Sequence, residues 1–314
     1  MTNQKKRIGK LVLWFLFLQL LLVNASAFLY AYKFTHFQSQ PKTSYARADV
    51  FSKTWKLFSG NVIYKDPSPP IWNGYEKVEL KTAEGIVLEG WYKGSDSVKQ
   101  CVLLFHGVTS RKDYFKHESA KFAEWGYNIL LVDFRGHGNS GGNSTSYGVN
   151  ETEEVELALD WSAKRGNTKN LLYGASMGGA VVLKAASEGV KATGVIADCS
   201  FGSLQDHFSA RAGTLGFPSQ PFAFLVTMWV GVQQGYNGFN HNIAEYARSI
   251  RLPVLVQSGD RDHLVKESET QEIFKNIPDQ RKRLAIYSGA DHHSYLLTHA
   301  VEWEKNVRAF ADGL

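Results

Sequence analysis

The sequence predicts an α/β fold: a mostly parallel, eight-stranded sheet flanked by helices. Three observations carry this. Past Pro70, strand-like and helix-like segments alternate at the spacing of βα units. Most of the strand-like segments are short, unbroken apolar runs, the pattern of strands buried on both faces. A chain of 314 residues with 44% hydrophobic content is large enough to cover such a sheet on both sides.

Taken in order, the chain opens with a membrane signal. Lys5, Lys6, Arg7 and Lys10 precede the apolar run Leu11–Val23. Positive residues there hold the N-terminus in the cytoplasm and put the remainder outside it. Counted from Leu11 to Tyr32 the segment has 22 residues, enough to span a bilayer uncleaved, with Phe28, Tyr30 and Tyr32 as an outer aromatic belt. The alternative is a signal peptide cleaved near Ala27, with Ala25 and Ala27 at the A-x-A positions, which yields a secreted domain. A buried helix of a cytosolic protein is disfavoured because the run is apolar on every face. Before Asp49 there are seven Lys/Arg and no acid, so of the net charge of +5 the remainder carries 28 against 30, or −2. The basic balance belongs to the N-terminal segment, and a nucleic-acid partner is not expected.

Residues 1–32 are therefore the anchor or signal peptide and 33–70 a connecting segment. Lys33–Tyr64, with Phe34, Phe37, Phe51, Trp55 and Phe58 at loosely helical spacing, predicts a connecting helix that packs on the domain or lies on the bilayer. "DPSPP" (Asp66–Pro70) breaks it. The main domain, 71–314, begins with "YEKVELKT" and "IVLEGWY" around the turn "AEG", a hairpin at the sheet edge. Buried strands follow at Val102–Phe105, Ile129–Val132, Leu171–Tyr173, Val195–Ala197, Pro253–Gln257 and Arg283–Tyr287. Helices are predicted over Tyr114–Trp125, Glu151–Lys164, Met177–Ser187, Lys266–Ile277 and Tyr295–Phe310. The stretch at about 202–248, rich in Phe, Gly and Pro, does not alternate and reads as a cap inserted over a site. Its apolar part, Gly213–Phe239, suits a hydrophobic ester or acyl substrate, and equally suits simple packing on the core.

Between the fifth strand and its helix lies Gly174-Ala175-Ser176-Met177-Gly178, a G-x-S-x-G turn. A nucleophilic serine needs this composition. A strained turn lifts its Oγ clear of the sheet, flanking glycines admit close backbone, and the helix N-terminus points N–H groups at a developing oxyanion. From about Tyr75 onward, this stretch and the order of the other motifs resemble the α/β-hydrolase fold family, most nearly its bacterial serine esterase-like branch with a short cap. The resemblance implies that Val108, after His106-Gly107 in "LLFHGVTS", and Met177 lend backbone N–H groups to an oxyanion hole. "DFRGHGNSGG" (Asp133–Gly142) is similar to the family loop D-x-R-G-x-G-x-S, so His106 and His137 are expected to be structural.

In this family order the acid and the base follow the serine on successive strands. After "PVLVQS", the family pattern G-x-x-D-x-x-V selects Asp262 over Asp260, which reads as a solvated turn residue paired with Arg261. After "RLAIY", the loop pattern G-A-x-H selects His292, with His293 as the alternative. The expected mechanism is acyl transfer from an ester to water by Ser176, His292 and Asp262, with no cofactor and no metal. A serine peptidase and a non-catalytic binding protein on the same fold are the competing readings. The two cysteines, Cys101 and Cys199, show no metal-ligand spacing, and the resemblance places the nucleophile strand between theirs, too far apart for a disulfide. Both are expected to be buried apolar residues.

Overall fold

The computed structural model describes residues 3–39 and 50–314, so Lys42 and Arg47 of the connecting segment lie outside the described residues. Two short strands near the N-terminus, β1 (Phe37–Ser39) and β2 (Ile63–Lys65), pair in parallel. The eight strands of the main sheet are β3 (Glu76–Lys81), β4 (Val87–Lys93), β5 (Gln100–Phe105), β6 (Asn128–Val132), β7 (Lys169–Ala175), β8 (Gly194–Asp198), β9 (Val254–Gly259) and β10 (Arg283–Tyr287). Their order across the sheet is β10-β9-β8-β7-β5-β6-β4-β3. The β3–β4 hairpin is antiparallel and sits at one edge, with Lys81 opposite Val87 across the "AEG" turn, and β4 pairs antiparallel with β6. All other pairings are parallel.

Alternation along each central strand sends side chains to two separate cores. In β5, Cys101, Leu103 and Phe105 enter one core and Val102 and Leu104 the other, all fully buried. Each apolar side chain of that size contributes about 1.5–3 kcal/mol by leaving water. The first core is roofed by α4 (Thr152–Lys164) and α5 (Met177–Ser187), through Val155, Ala158, Val181 and Ala185. The second is covered by α3 (Lys116–Glu124) and by α11 (Ala300–Ala311), through Phe122, Trp303, Val307 and Phe310.

Two predicted helices differ from those observed. Tyr114 lies in a 3-10 turn (Lys112–Phe115) that precedes α3. The helix predicted over Tyr295–Phe310 divides into α10 (Tyr295–Thr298) and α11, because His299 leaves helical geometry (φ −132°, ψ 45°) and its Nε2 bonds the Ser288 carbonyl at 3.0 Å. A long-range contact thus overrides a continuous apolar periodicity.

The insertion after β8 is helical: α6 (Leu204–Thr214), α7 (Ser219–Gln234) and the single turn α8 (Ile243–Tyr246). Helix α9 (Glu267–Asn276) follows β9. The connecting segment is not one packed helix. Its first residues continue the N-terminal helix α1 (Asn3–Thr35), and α2 (Val50–Ser59) leaves Phe51, Trp55 and Leu57 exposed. Among the described residues, α1 is the one helix long and apolar enough to cross a membrane. From Lys6 to Val23 it is exposed; beyond that it docks on the cap. Ala27, Tyr30 and Ala31 are buried, Trp229 Nε1 donates to Asn24 Oδ1 at 2.6 Å, and the Phe34 and Phe208 rings stack at 5.6 Å.

Candidate active site

The carboxyl ends of β5, β7, β8, β9 and β10 converge on Ser176. The serine joins β7 to α5 at φ 54°, ψ −116°, a conformation that L residues rarely hold. Backbone bonds over-determine it: its N–H donates to the Asp198 carbonyl at 2.8 Å, and its carbonyl accepts from Ala180 N–H at 3.0 Å. The glycines of the motif are steric requirements. A Cβ at Gly174 would lie 2.1 Å from the Gly178 carbonyl oxygen, and one at Gly178 would lie 1.9 Å from the Phe105 carbonyl oxygen. The start of α5 therefore presses on the end of β5, which brings the Gly107-Val108 backbone beside the serine. A Cβ at Gly107 would stand 3.1 Å from that of Ser176.

His292 Nε2 lies 3.0 Å from Ser176 Oγ, and His292 Nδ1 lies 2.7 Å from Asp262 Oδ2. The other Asp262 oxygen accepts from the N–H groups of Leu264 at 2.8 Å and Val265 at 2.9 Å. This is the physical content of the D-x-x-V spacing: the loop that carries the carboxylate also fixes its orientation through its own N–H groups. Asp262 is fully buried as a side chain, and His292 retains 14% exposure. Burial opposes the imidazolium form of His292, but its neighbours Cys199 and Asp262 favour that form, outweigh burial and raise the pKa. With Nδ1–H directed at Asp262, Nε2 is free to accept the serine proton.

The neighbouring candidates lie elsewhere. His293 Nδ1 is buried without a hydrogen-bond partner, and its ring faces Tyr295 at 6.2 Å. Asp260 accepts from Gly289 N–H at 2.6 Å and from Ser288 at 3.1 Å, so it ties the β9 and β10 loops together rather than pairing with Arg261. Asp291 does similar work, accepting from His292 N–H at 2.7 Å and from His263. The His263 hydrogen bond, ahead of a smaller burial penalty, pulls its carboxyl down to about 2.

His106 and His137 clamp two loops. His106 Nδ1–H donates to the Gly107 carbonyl at 2.7 Å while Nε2 accepts from Phe134 N–H at 3.1 Å. His137 Nδ1–H donates to the Arg135 carbonyl at 2.9 Å while Nε2 accepts from Thr109 N–H at 3.3 Å. Each imidazole uses one donor and one acceptor, so both are neutral. Burial lowers both pKa values, His137 to about 3. Beneath them Asp133, fully buried, takes Lys112 Nζ at 2.5 Å and Lys112 N–H at 2.7 Å, and Glu89 shares the same ammonium at 2.9 Å.

The residue that sequence reasoning undervalued is Cys199. It is buried, as expected, and at φ 42° it is one of four non-glycine residues with positive φ among those described. Its Sγ, an Asp262 oxygen and a His292 ring nitrogen lie within 4.8 Å of one another. That spacing suits a thiophilic cation, but both imidazole nitrogens are already engaged by Asp262 and Ser176. Position supplied the missing signal: Cys199 follows the last residue of β8, which pairs with β7, the strand that leads into Ser176. Cys101 sits at the start of β5, at the opposite end of the sheet.

A protein-family model described as serine aminopeptidase, S33, matches residues 96–219 and 227–296. Protein YqkD of Bacillus subtilis is 24% identical over 261 residues, covering 79% of this chain and 85% of its own. A monoacylglycerol lipase of Mycolicibacterium smegmatis is 22% identical, covering 67% and 86%. Among solved structures, the Pyrococcus furiosus esterase Pf2001 superposes with a TM-score of 0.65 at 24% identity, over 79% of this chain and 97% of that one.

Proposed function

The chain belongs to the serine aminopeptidase S33 family of α/β-hydrolases, and on that premise we propose that it is a membrane-anchored serine hydrolase that cleaves carboxylic esters. The observation that carries the proposal is the unbroken relay from Ser176 Oγ through His292 to Asp262, at 3.0 and 2.7 Å. His292 takes the serine proton as Oγ attacks the carbonyl carbon of the ester. Asp262 holds the imidazole in the tautomer that can accept it and stabilises the imidazolium that results. The carbonyl oxygen becomes an oxyanion held by the N–H groups of Val108 and Met177, each worth about 10²–10³ in rate in enzymes of this kind. His292 then returns the proton to the leaving alcohol. Water, activated by the same histidine, releases the acid and restores the serine.

An ester is preferred over a peptide because the chain carries its own bilayer-compatible helix, whose C-terminal third packs on the cap. The monoacylglycerol lipase and esterase names among its relatives agree with that choice. The helix supports an uncleaved anchor: cleavage after Ala27 would remove Asn24 and Ser26, which hydrogen-bond Trp229 and Phe58, together with buried Ala27 itself. By the charge rule the N-terminus is cytoplasmic and the catalytic domain lies outside.

The test is hydrolysis by the full chain in detergent, measured on p-nitrophenyl esters of increasing acyl length and on aminoacyl p-nitroanilides. Ester turnover that Ser176→Ala abolishes is expected. Turnover of aminoacyl substrates without ester turnover establishes a peptidase instead.

A further inference from the structure

The junction of anchor, α2 and cap holds an open apolar groove of about 560 Å³, lined by Leu22 and Val23 of α1, Leu57 and Phe58 of α2, and Phe217 and Phe222 of the cap. That is the size of a small-molecule site and larger than any packing defect in a compact core. Nothing in the catalytic relay uses it. From its walls, we infer that the groove binds one acyl chain of a phospholipid from the bilayer that α1 crosses. The inference rests on the membrane reading of α1 given above and is independent of the chemistry at Ser176.

Depth is the first argument. The exposed apolar part of α1, Leu11–Val23, is 13 residues long and rises about 20 Å at 1.5 Å per residue. A bilayer's hydrocarbon core is about 30 Å thick. A spanning helix with that uncovered length must draw its first docked turns, from Asn24 onward, to the level of the outer acyl chains. Leu22, Val23 and Ser26 of the groove lie at that boundary. A second apolar hollow, lined by Leu21, Ala25, Phe28, Leu29 and Trp229, flanks the same turns. The cap therefore meets lipid rather than water there.

Charge is the second argument. Helix α2 forms one wall and presents exposed Phe51, Trp55 and Leu57 together with exposed Lys53 and Lys56. Aromatic and basic residues on a short amphipathic helix are the composition of an interfacial helix, whose ammonium groups sit among lipid phosphates. A phospholipid whose phosphate meets Lys53 or Lys56 has its acyl chain directed at the groove that α2 itself borders. The last turn of α2 is tied to α1, because Tyr30 OH donates to the Leu57 carbonyl at 2.8 Å and Lys33 Nζ donates to Ser59 Oγ at 2.8 Å and to the Gly60 carbonyl at 2.7 Å. The occupant would also touch the α6–α7 connection, at Phe217, and so stabilise the docked cap; Phe217 and Phe222 already meet Tyr30 at 5.9 and 5.1 Å.

The experiment uses the full chain with Ser176→Ala, so that no probe is hydrolysed and the outcome is independent of the esterase reading. The protein is reconstituted in phosphatidylcholine vesicles doped with phosphatidylcholine bearing a diazirine near one acyl terminus. After photolysis, the labelled peptides are mapped by mass spectrometry. Labels on 217–222 and 54–58 are expected, and filling the groove by Leu57→Trp should cut them about tenfold, a loss of about 1.4 kcal/mol of binding. Leu22→Trp, on the exposed face of α1, provides the same block should the first variant fold poorly. Labels confined to residues 11–18, or labels on 217–222 indifferent to both substitutions, overturn the inference. So does labelling by free diazirine-palmitate in otherwise unlabelled vesicles with none from the phospholipid.

Discussion

Gly178→Ala tests how the fold creates the site. The new Cβ would stand 1.9 Å from the Phe105 carbonyl oxygen, with the Phe105 carbonyl carbon at 2.7 Å and the His106 carbonyl oxygen at 2.8 Å. All three are backbone atoms, so no side chain can swing aside. Restoring even a 3.0 Å contact requires α5 and the end of β5 to part by roughly 1 Å, since 3.0 less 1.9 leaves 1.1 Å. That movement separates Met177 N–H, on α5, from Val108 N–H, which follows β5, and these are the two proposed oxyanion donors. A misplacement of about 1 Å costs on the order of 10²-fold in rate. The assay is steady-state hydrolysis of p-nitrophenyl butyrate beside a thermal melt. The expectation is a folded variant whose kcat falls about 100-fold with KM nearly unchanged, because the donors act on the transition state. Gly213→Ala is the control: no atom lies within 4 Å of its Cβ and it is inside α6, so it should keep activity and gain about 1 kcal/mol of stability. A folded Gly178→Ala enzyme within threefold of the parent would refute the reasoning.

Further outcomes follow from the same geometry. Asp262→Asn should lower kcat by about 10⁴-fold while the protein stays folded, since the amide favours the wrong imidazole tautomer; a loss below tenfold in kinetics would contradict the assigned role. His292 must be neutral to accept the proton, and its pKa is raised, with burial opposing and Cys199 and Asp262 favouring the charged form. The acid limb of kcat/KM should therefore fall with an inflection above the ordinary histidine value of about 6.5. By linkage, the stability this imidazolium contributes is fully present below about pH 6.5 and lost as pH rises through the folded pKa, which melts across pH in wild type and His292→Ala will show. Asp133→Asn should cost about 3–5 kcal/mol in chemical denaturation, because Lys112 is fully buried and would keep only Glu89 as a counter-charge.

The sheet was legible because its strands are buried on both faces and so appear as uninterrupted apolar runs; Val102–Phe105 and Ile129–Val132 each fall inside observed strands. Ser176 was legible because a strained turn crowded by backbone leaves only glycine at 174 and 178. Asp262 and His292 were selected by the family's loop patterns after two successive strands, and the structure sets His292 between Asp262 and Ser176. Long-range contacts were not legible. No local pattern announces that His299 will bond Ser288 and interrupt a helix, or that Asp260 will reach Gly289 across a loop. Nor does apolar content alone distinguish an anchor that merely spans from one that docks a third of its length on the cap through Asn24, Tyr30 and Phe34. Cys199 was missed because its closeness to Asp262 and His292 follows from where β8 ends, beside the strand that leads into Ser176.

The central claim, that Ser176 is an activated nucleophile driven by His292, is tested most directly by covalent labelling. The full chain is treated with a fluorophosphonate probe and the modified residue is located by mass spectrometry, beside Ser176→Ala, His292→Ala and His293→Ala. The account predicts a single adduct on Ser176 that vanishes in Ser176→Ala, drops sharply in His292→Ala and survives in His293→Ala. Labelling that persists in His292→Ala but is lost in His293→Ala, or a folded wild-type chain that never labels, would contradict it.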